Sequence, residues 1–394
     1  MYRQRWQERL GIVPAISHHD QKIIWIHAVS VGEVEATVPL VKKIQEEFSN
    51  LQIIMTTTTP TGAETVKRRY GHQQIIHYYA PYDLVSFQQR FINKIKPDLL
   101  IIMETEAWPN LIHICQKKNI PVMLANARMS EQSGKGYQCI RHLSRPMFSK
   151  ISAISAQTDQ DAQRFISLGA GSDRVIVSGS LKYDQELPYG HEEQSAELKK
   201  QIGRQRPVWI AASTHPGEED QILMAHKQIL KTYPDCLLIL VPRHPERFEE
   251  VYKFCKTYLM DTSRRSLNEP IVGQVYLVDT MGDLMLCYGA ADVAFVAGSL
   301  TSIGGHNLLE PASLGLPVLM GPYTFKIEKI FQEFLDAGAA FRVNNTSEMV
   351  EKILFLFEHD SKRSEVGDKA KNLVKKNQGA AASQLQSIKK LCAR

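Results

Sequence analysis

The sequence predicts an α/β protein made of two doubly wound parallel sheets, one after the other. Three observations predict it. Short apolar runs alternate with amphipathic stretches from residue 23 to about 345, which is the pattern of βαβ units. The alternation breaks once, in a polar stretch from Asp184 to Arg206, and then restarts. The length of 394 residues with 43% hydrophobic side chains exceeds one ordinary core and suits two domains of about 150–200 residues.

The first half gives strands at Ile23–Ala28, Gln52–Thr57, Gln74–Tyr79, Asp98–Met103, Pro121–Asn126, Ile151–Ser155 and Val175–Val177. Helical periodicity lies between them, as at Val38–Glu47 and Asp159–Leu168. The polar break carries Pro188, Gly190 and a Glu/Gln/Lys-rich stretch, read as a connection containing a helix. Strands then follow at Val208–Ala212, Cys236–Val241, Gln274–Val278, Asp292–Val296 and Pro317–Met320. Helices are expected at Glu218–Thr232, Pro245–Tyr258, Asn307–Leu314 and Phe325–Ala337, with a last helical region from about Ser347. The domains expected are 1–184, a linker at 185–206, and 207–394. Two such Rossmann-like sheets in series make a cleft between their carboxyl ends, where ligands of open α/β sheets bind.

Composition narrows the function. A charged fraction of 23% excludes disorder, collagen and coiled coil. No run approaches the roughly 18 apolar residues that span a bilayer. The N-terminal MYRQRWQERLG has no apolar h-region and does not read as a signal peptide. Six scattered cysteines make no CxxC pair and no metal-ligand spacing, so reduced thiols are expected. The net charge of +5 sits in the first half, where 22 Lys and Arg face 17 Asp and Glu up to residue 187. That excess suits an anionic substrate or lipid surface. It is too weak for a nucleic-acid binder, and no aromatics interleave with a basic stripe.

Unusual residues cluster at strand ends. After the first strand comes Ser30-Val31-Gly32-Glu33. Gly32 permits close backbone approach, and Glu33 at a helix start is a candidate general base for a hydroxyl nucleophile; favouring the helix dipole is its bland role. Thr56–Gly62 (TTTTPTG) offers hydroxyls to an anion or sugar, or caps a helix. Met103–Asn110 (METEAWPN) puts Glu104, Glu106 and Trp108 at the end of the strongest strand; the two carboxylates face opposite ways if extended. Arg128, in Asn126–Ser130 (NARMS), holds an anion or pairs with one of those glutamates. Lys182, in Gly179–Asp184 (GSLKYD), reaches a phosphate from the domain hinge or is plain surface.

The second half has its own set. Ser213–Glu219 (STHPGEE) opens a helix. Pro242, Arg243 and His244 end a strand, and guanidinium binds phosphate in a bidentate manner. Thr280–Leu284, with Met281, Gly282 and Asp283, opens another helix. A glycine-rich loop, Gly298–Gly305, leads to a helix start bearing Asn307, Leu308, Leu309 and Glu310. Its N–H groups suit phosphate, and Glu310 suits ribose hydroxyls. A GxGxxG fingerprint, a P-loop, HExxH and GxSxG are absent from the sequence, which weakens dinucleotide, ATPase, zinc-hydrolase and serine-hydrolase readings. A carboxylate in one half and a nucleotide site in the other point to group transfer.

Taken together, SVGE, TTTTPTG, METEAWPN, NARMS, GSLKYD, STHPGEE, LVPRHPERF (Leu240–Phe248), DTMGDL (Asp279–Leu284) and GGHNLLEPA (Gly304–Ala312) resemble the 3-deoxy-D-manno-octulosonic acid (Kdo) transferases of lipopolysaccharide synthesis. Each motif is weak alone; nine in family order over nearly the whole chain are specific. The resemblance implies a GT-B glycosyltransferase fold and inverting, metal-independent transfer of Kdo from CMP-Kdo to lipid IVA, with no cofactor. It implies Glu33 as base, Glu104 and Lys182 as transition-state stabilisers, and CMP binding by Pro242, Arg243, Met281, Gly282, Asp283 and Asn307–Glu310. Ser30, Gly32 and Arg128 are expected at the acceptor, and Lys67, Arg68, Arg69 and Lys135 near its phosphates. Asp283 stands where the family commonly has Glu, and Leu308 where it has Pro. The implied location is the cytoplasmic face of the inner membrane, peripheral or anchored in a longer form. A UDP-N-acetylglucosamine transferase or 2-epimerase of the same architecture, and a non-catalytic nucleotide-sugar binder, remain alternatives.

Overall fold

In a computed structural model, which describes residues 5–16, 21–73, 75–106, 108–185, 187 and 190–393, the chain divides into two units. The first comprises Met1–Gln185 and Asn377–Arg394, the second Glu186–Lys376. Gln74, Ala107 and Pro188, named in the sequence reading, lie outside the described residues.

The first unit contains β1 (Lys22–His27), β2 (Leu51–Thr57), β3 (Ile75–Tyr79), β4 (Leu99–Met103), β5 (Val122–Ala127), β6 (Ala153–Ala156) and β7 (Val175–Val177). They form one sheet in the order β3-β2-β1-β4-β5-β6-β7, and every pairing is parallel. All five residues of β4 are buried. Leu100 and Ile102 pack into one core, whereas Leu99, Ile101 and Met103 pack into the other. Successive side chains point to opposite faces, so an unbroken apolar run is what a strand covered on both faces needs.

The second unit contains β8 (Val208–Thr214), β9 (Leu237–Pro242), β10 (Thr262–Arg264), β11 (Val275–Leu277), β12 (Val293–Val296), β13 (Val318–Met320) and β14 (Ala340–Arg342). Their order is β10-β11-β9-β8-β12-β13-β14, again parallel throughout. The same face-splitting holds in β9, where Leu238 and Leu240 join one core and Leu237, Ile239 and Val241 the other. The sequence reading missed β10 and β14. Both are edge strands of three residues, where little apolar surface is covered on either side.

The domain boundaries differ from expectation in two places. The stretch read as a linker contains helix His191–Ile202, whose Leu198 and Ile202 complete the second unit's core. At the other end, helix Ala380–Cys392 returns to the first unit. Its Ala380, Ala381, Leu385, Ile388 and Leu391 pack with Val34, Leu40, Val41 and Ile44. Asp184 fixes its start by accepting from the N–H groups of Gly379 at 2.6 Å and Ala381 at 2.5 Å. Among the described residues, no helix is long and apolar enough to cross a membrane.

Candidate functional site

Each sheet order changes direction once, between β1 and β4 in the first unit and between β8 and β12 in the second. At such a switch point the loops leaving adjacent strands part to opposite faces and leave a crevice. Ser30, Gly32 and Glu33, with Glu104, Glu106 and Trp108, lie at these loops in the first unit, and residues 213–219 and 298–307 in the second. Arg128, Lys182, Arg243 and the stretch 281–283 follow other strands.

In the first unit, helix Val31–Glu47 starts seven residues before the expected Val38. Pro39 reads as a first-turn proline, but the start is made by Ser30, whose side chain caps the Glu33 N–H. Glu33 answers in the manner of a capping box. Its Oε2 accepts from the Val29 N–H at 2.9 Å, and its Oε1 accepts from the Ser30 hydroxyl at 3.1 Å. The residue is only 7% exposed. Burial raises its pKa to about 7, with the Glu104 and Glu106 charges pushing the same way and the Val29 and Ser30 bonds opposing. A carboxyl poised there is suited to general-base work near neutral pH.

Glu104 follows β4 with φ of 54°. The expectation of opposite-facing carboxylates is corrected on two counts. Residues two apart in an extended strand share a face, and the backbone here is turned, not extended, with the charges of Glu104 and Glu106 both acting on Glu33. The Glu104 Oε2 accepts from Arg128 Nε and Nη2, each at 2.7 Å. Thr105 Oγ1 donates to the Arg128 carbonyl, tying the β4 and β5 loops together. Glu106 accepts from the Trp108 indole N–H at 3.0 Å. Lys182 lies in the short turn Leu181–Asp184. This turn is anchored at one end by the Leu181 N–H on Asn126 Oδ1 at 3.1 Å and at the other by Asp184 on the terminal helix. Burial lowers the Lys182 pKa, and the nearby Glu104 charge opposes that while Arg128 adds to it. Glu33, Glu104, Arg128 and Lys182 thus form one electrostatic cluster.

Other first-unit residues named from the sequence make structural contacts. Thr59 caps helix Pro60–Tyr70, and Thr58 donates to the Val29 carbonyl at 3.0 Å. The threonine loop therefore buttresses the Glu33 loop. Arg68 and Arg69 pair with Glu35, and Lys135 with Glu131, so these cations already have anionic partners.

In the second unit, the central residue is Glu218, which the sequence shows within STHPGEE without indicating its role. Glu218 is fully buried and accepts from four backbone N–H groups, those of His215, Gly298, Ser299 and Leu300, at 2.8–3.0 Å. It ties the loop after β8 to the loop after β12. Across that tie, His215 Nε2 and His306 Nε2 are 2.7 Å apart. Gly298, at φ of 70°, lets His306 in: a Cβ there would sit 2.7 Å from its ring. The two histidines are 91 positions apart, so spacing gives no sign of their contact. Arg243 follows β9 and its N–H donates to the Thr214 carbonyl at 3.1 Å. Burial depresses the pKa of His215 to about 4 and of His306 to about 3, and the charges of Arg243, His244 and Lys326 add to this in both. The loop cluster is therefore strongly cationic and suited to an anion.

One expectation here needs correction. The helix bearing Asn307 and Glu310 starts at Leu309 and has five residues, too few for a substantial dipole. Leu308 and Leu309 are buried, so only their backbone can meet a ligand. Asn307 Nδ2 donates to Glu310 Oε1 at 3.2 Å. The helix after Met281–Asp283 has seven residues. The Asp283 carboxylate is taken by Arg265 at 3.1 Å and by the Thr280 hydroxyl at 2.5 Å, whereas Met281 is exposed and Gly282, at φ of 101°, has open space where a Cβ would be. Among the described residues, no group of three His, Cys, Asp or Glu side chains is placed to hold a metal ion.

Comparison with known proteins bears on the family and the fold. The profile of the 3-deoxy-D-manno-octulosonic-acid transferase (kdotransferase) family matches residues 4–185. A 3-deoxy-D-manno-octulosonic acid transferase of Haemophilus influenzae is 42% identical over 98% of this chain and 91% of its own length. One from Bordetella pertussis is 32% identical over 93% and 86%. Among solved structures, a UDP-GlcNAc 2-epimerase from Neisseria meningitidis superposes with a TM-score of 0.62 at 15% identity, covering 94% of this chain and all of that one. A glycosyltransferase from Rickettsia africae gives 0.58 at 14%, covering 95% and 99%. Those two share the GT-B type of fold and show nothing finer. The sequence relatives do: the chain belongs to the Kdo transferase family of glycosyltransferases.

Proposed function

We propose that the protein transfers Kdo from CMP-Kdo to lipid IVA with inversion, without a metal ion or resident cofactor, at the cytoplasmic face of the inner membrane. The observation that carries this reading is Glu33, a buried carboxyl with its pKa raised to about 7 beside a Glu104–Arg128–Lys182 cluster. Glu33 takes the proton of an acceptor hydroxyl as that oxygen bonds to the Kdo anomeric carbon. The bond from that carbon to the phosphate oxygen breaks, and its electron pair leaves with CMP. Attack opposite the leaving group inverts the anomeric centre. Lys182 and Glu104 hold charge around the reacting sugar, with Arg128 fixing Glu104. CMP is assigned to Arg243 and Pro242, the Met281–Asp283 turn and Asn307–Glu310. The side chain of Asp283 serves by holding that turn, since Arg265 and Thr280 occupy it. Preorganised cations at the departing phosphate supply the stabilisation that a metal supplies elsewhere. Ser30 and Gly32 adjoin the acceptor hydroxyl through the Glu33 loop.

The test is transfer of Kdo to lipid IVA, with CMP-Kdo generated in the reaction, for wild type beside Glu33→Gln. Product from wild type alone supports the assignment, and its mass counts the Kdo units. Product from both moves the base elsewhere, with Glu104 next. Binding of UDP in preference to CMP would favour the UDP-sugar alternative.

A further inference from the structure

The His215–His306 contact has a chemistry of its own. A neutral imidazole carries one N–H. A bond between two Nε2 atoms, here 2.7 Å apart, makes one ring the donor and the other the acceptor. The donor ring is then bare at Nδ1, and the acceptor ring carries its hydrogen at Nδ1. One added proton fits on the bare Nδ1 and leaves the shared bond intact. A second cannot be added without breaking it. The pair is thus built to hold one proton, and in its charged state it presents two Nδ1–H donors. Among the described residues, neither Nδ1 is hydrogen-bonded.

The surroundings decide when that proton is taken. His215 faces His306 from the β12 loop, His244 at a ring separation of 5.3 Å from the β9 loop, and Arg243, Arg247 and Lys326 from beyond. His306 faces the same Arg243, His244 and Lys326. Two buried carboxylates lie here: Glu218 is spent on four backbone N–H groups and Glu219 on Arg247. Burial and these cations keep the empty pair neutral. A phosphate dianion seated on Arg243 reverses the sign of the field.

We propose that the His215–His306 pair takes up one proton when a nucleoside monophosphate binds beside Arg243, so that the leaving nucleotide is held by two imidazole N–H donors and an added positive charge. The inference rests on the assignment of CMP to this unit. It adds a linkage between nucleotide binding and protonation, centred on two residues outside that assignment.

The experiment is histidine NMR on the full chain with labelled imidazoles, the two signals identified through His215→Gln and His306→Gln. CMP is the probe and cytidine the phosphate-free control. In the free protein both rings should stay neutral from pH 6 to 8. Saturating CMP should move one titration into that range, a shift of about 2 pH units or more; cytidine should not. Neutral rings under saturating CMP overturn the proposal. Absence of any CMP binding by calorimetry overturns the donor assignment itself and this inference with it. A second readout needs no NMR. His306→Gln should weaken CMP about tenfold more at pH 6.5 than at pH 8.5. A loss equal at both pH values, as packing alone would give, also overturns it.

Discussion

Replacing Glu33 by Gln should stabilise the protein while sharply lowering its activity, and the stabilisation should depend on pH. The native carboxyl titrates at about 7 against 4.5 in the unfolded chain. Between those values the folded state holds a proton that the unfolded state has lost. Stability from this group is therefore full below about pH 4.5 and falls as pH rises through 7. Above pH 8 the wild type bears the whole penalty, roughly 3.5 kcal/mol at about 1.4 kcal/mol per pH unit. Gln has no charge to bury and can still accept from the Val29 N–H. At pH 8.5 the variant should therefore melt about 5–10 °C higher in the transition of the first unit, and at pH 5 the gap should shrink to about a quarter of that. Scanning calorimetry across that range measures it. Transferase turnover should fall by about 10²–10⁴, the usual size of a general-base effect. A melting difference that is the same at pH 5 and 8.5 would refute the reasoning, because it would mean that Glu33 does not titrate in this window.

Other expectations follow from the same geometry. Glu104→Gln removes one of the charges raising the Glu33 pKa, so the acidic limb of the kcat/KM profile should move down by about half a pH unit; a profile that does not move removes Glu104 from the electrostatics of the base. Glu218→Ala leaves four buried N–H groups without an acceptor and should destabilise the second unit by about 3–5 kcal/mol in urea unfolding. Gly367→Ala, in the middle of helix Asp360–Lys376, should lower stability, although the same change in an open helix raises it by about 1 kcal/mol. The reason is a Cβ placed 1.9 Å from the Gly315 carbonyl oxygen. Asp184→Ala should loosen helix Ala380–Cys392 at a cost of about 1–2 kcal/mol, seen as faster amide exchange along its buried face.

The sheets were legible because the buried strands are unbroken apolar runs; β4, β8 and β9 are all read within two residues at each end. Helix starts were harder, as the contest between Pro39 and Ser30 shows. What the sequence could not show is partnership. Arg128 and Glu104 are 24 positions apart, and Glu218 and Gly298 are 80 apart; only the neighbouring of β4 with β5 and of β8 with β12 brings them together. Arg128 reads in the sequence as an anion ligand or an ion-pair partner, and the structure shows its pair with Glu104. Helix Ala380–Cys392 was misplaced for a similar reason. Its periodicity announces a buried face but not which sheet buries it.

That helix has a consequence for how the molecule is made. The core of the first unit contains side chains from residues 380–391, which a ribosome adds only after residues 186–376, the whole of the second unit, have been synthesised. A nascent chain can therefore finish its later-encoded unit first. Meanwhile the earlier one waits with Val34, Leu40, Val41 and Ile44 uncovered. Such exposure invites chaperone binding, and a message truncated near its end would yield a protein whose second unit is whole and whose base-bearing unit is the defective one.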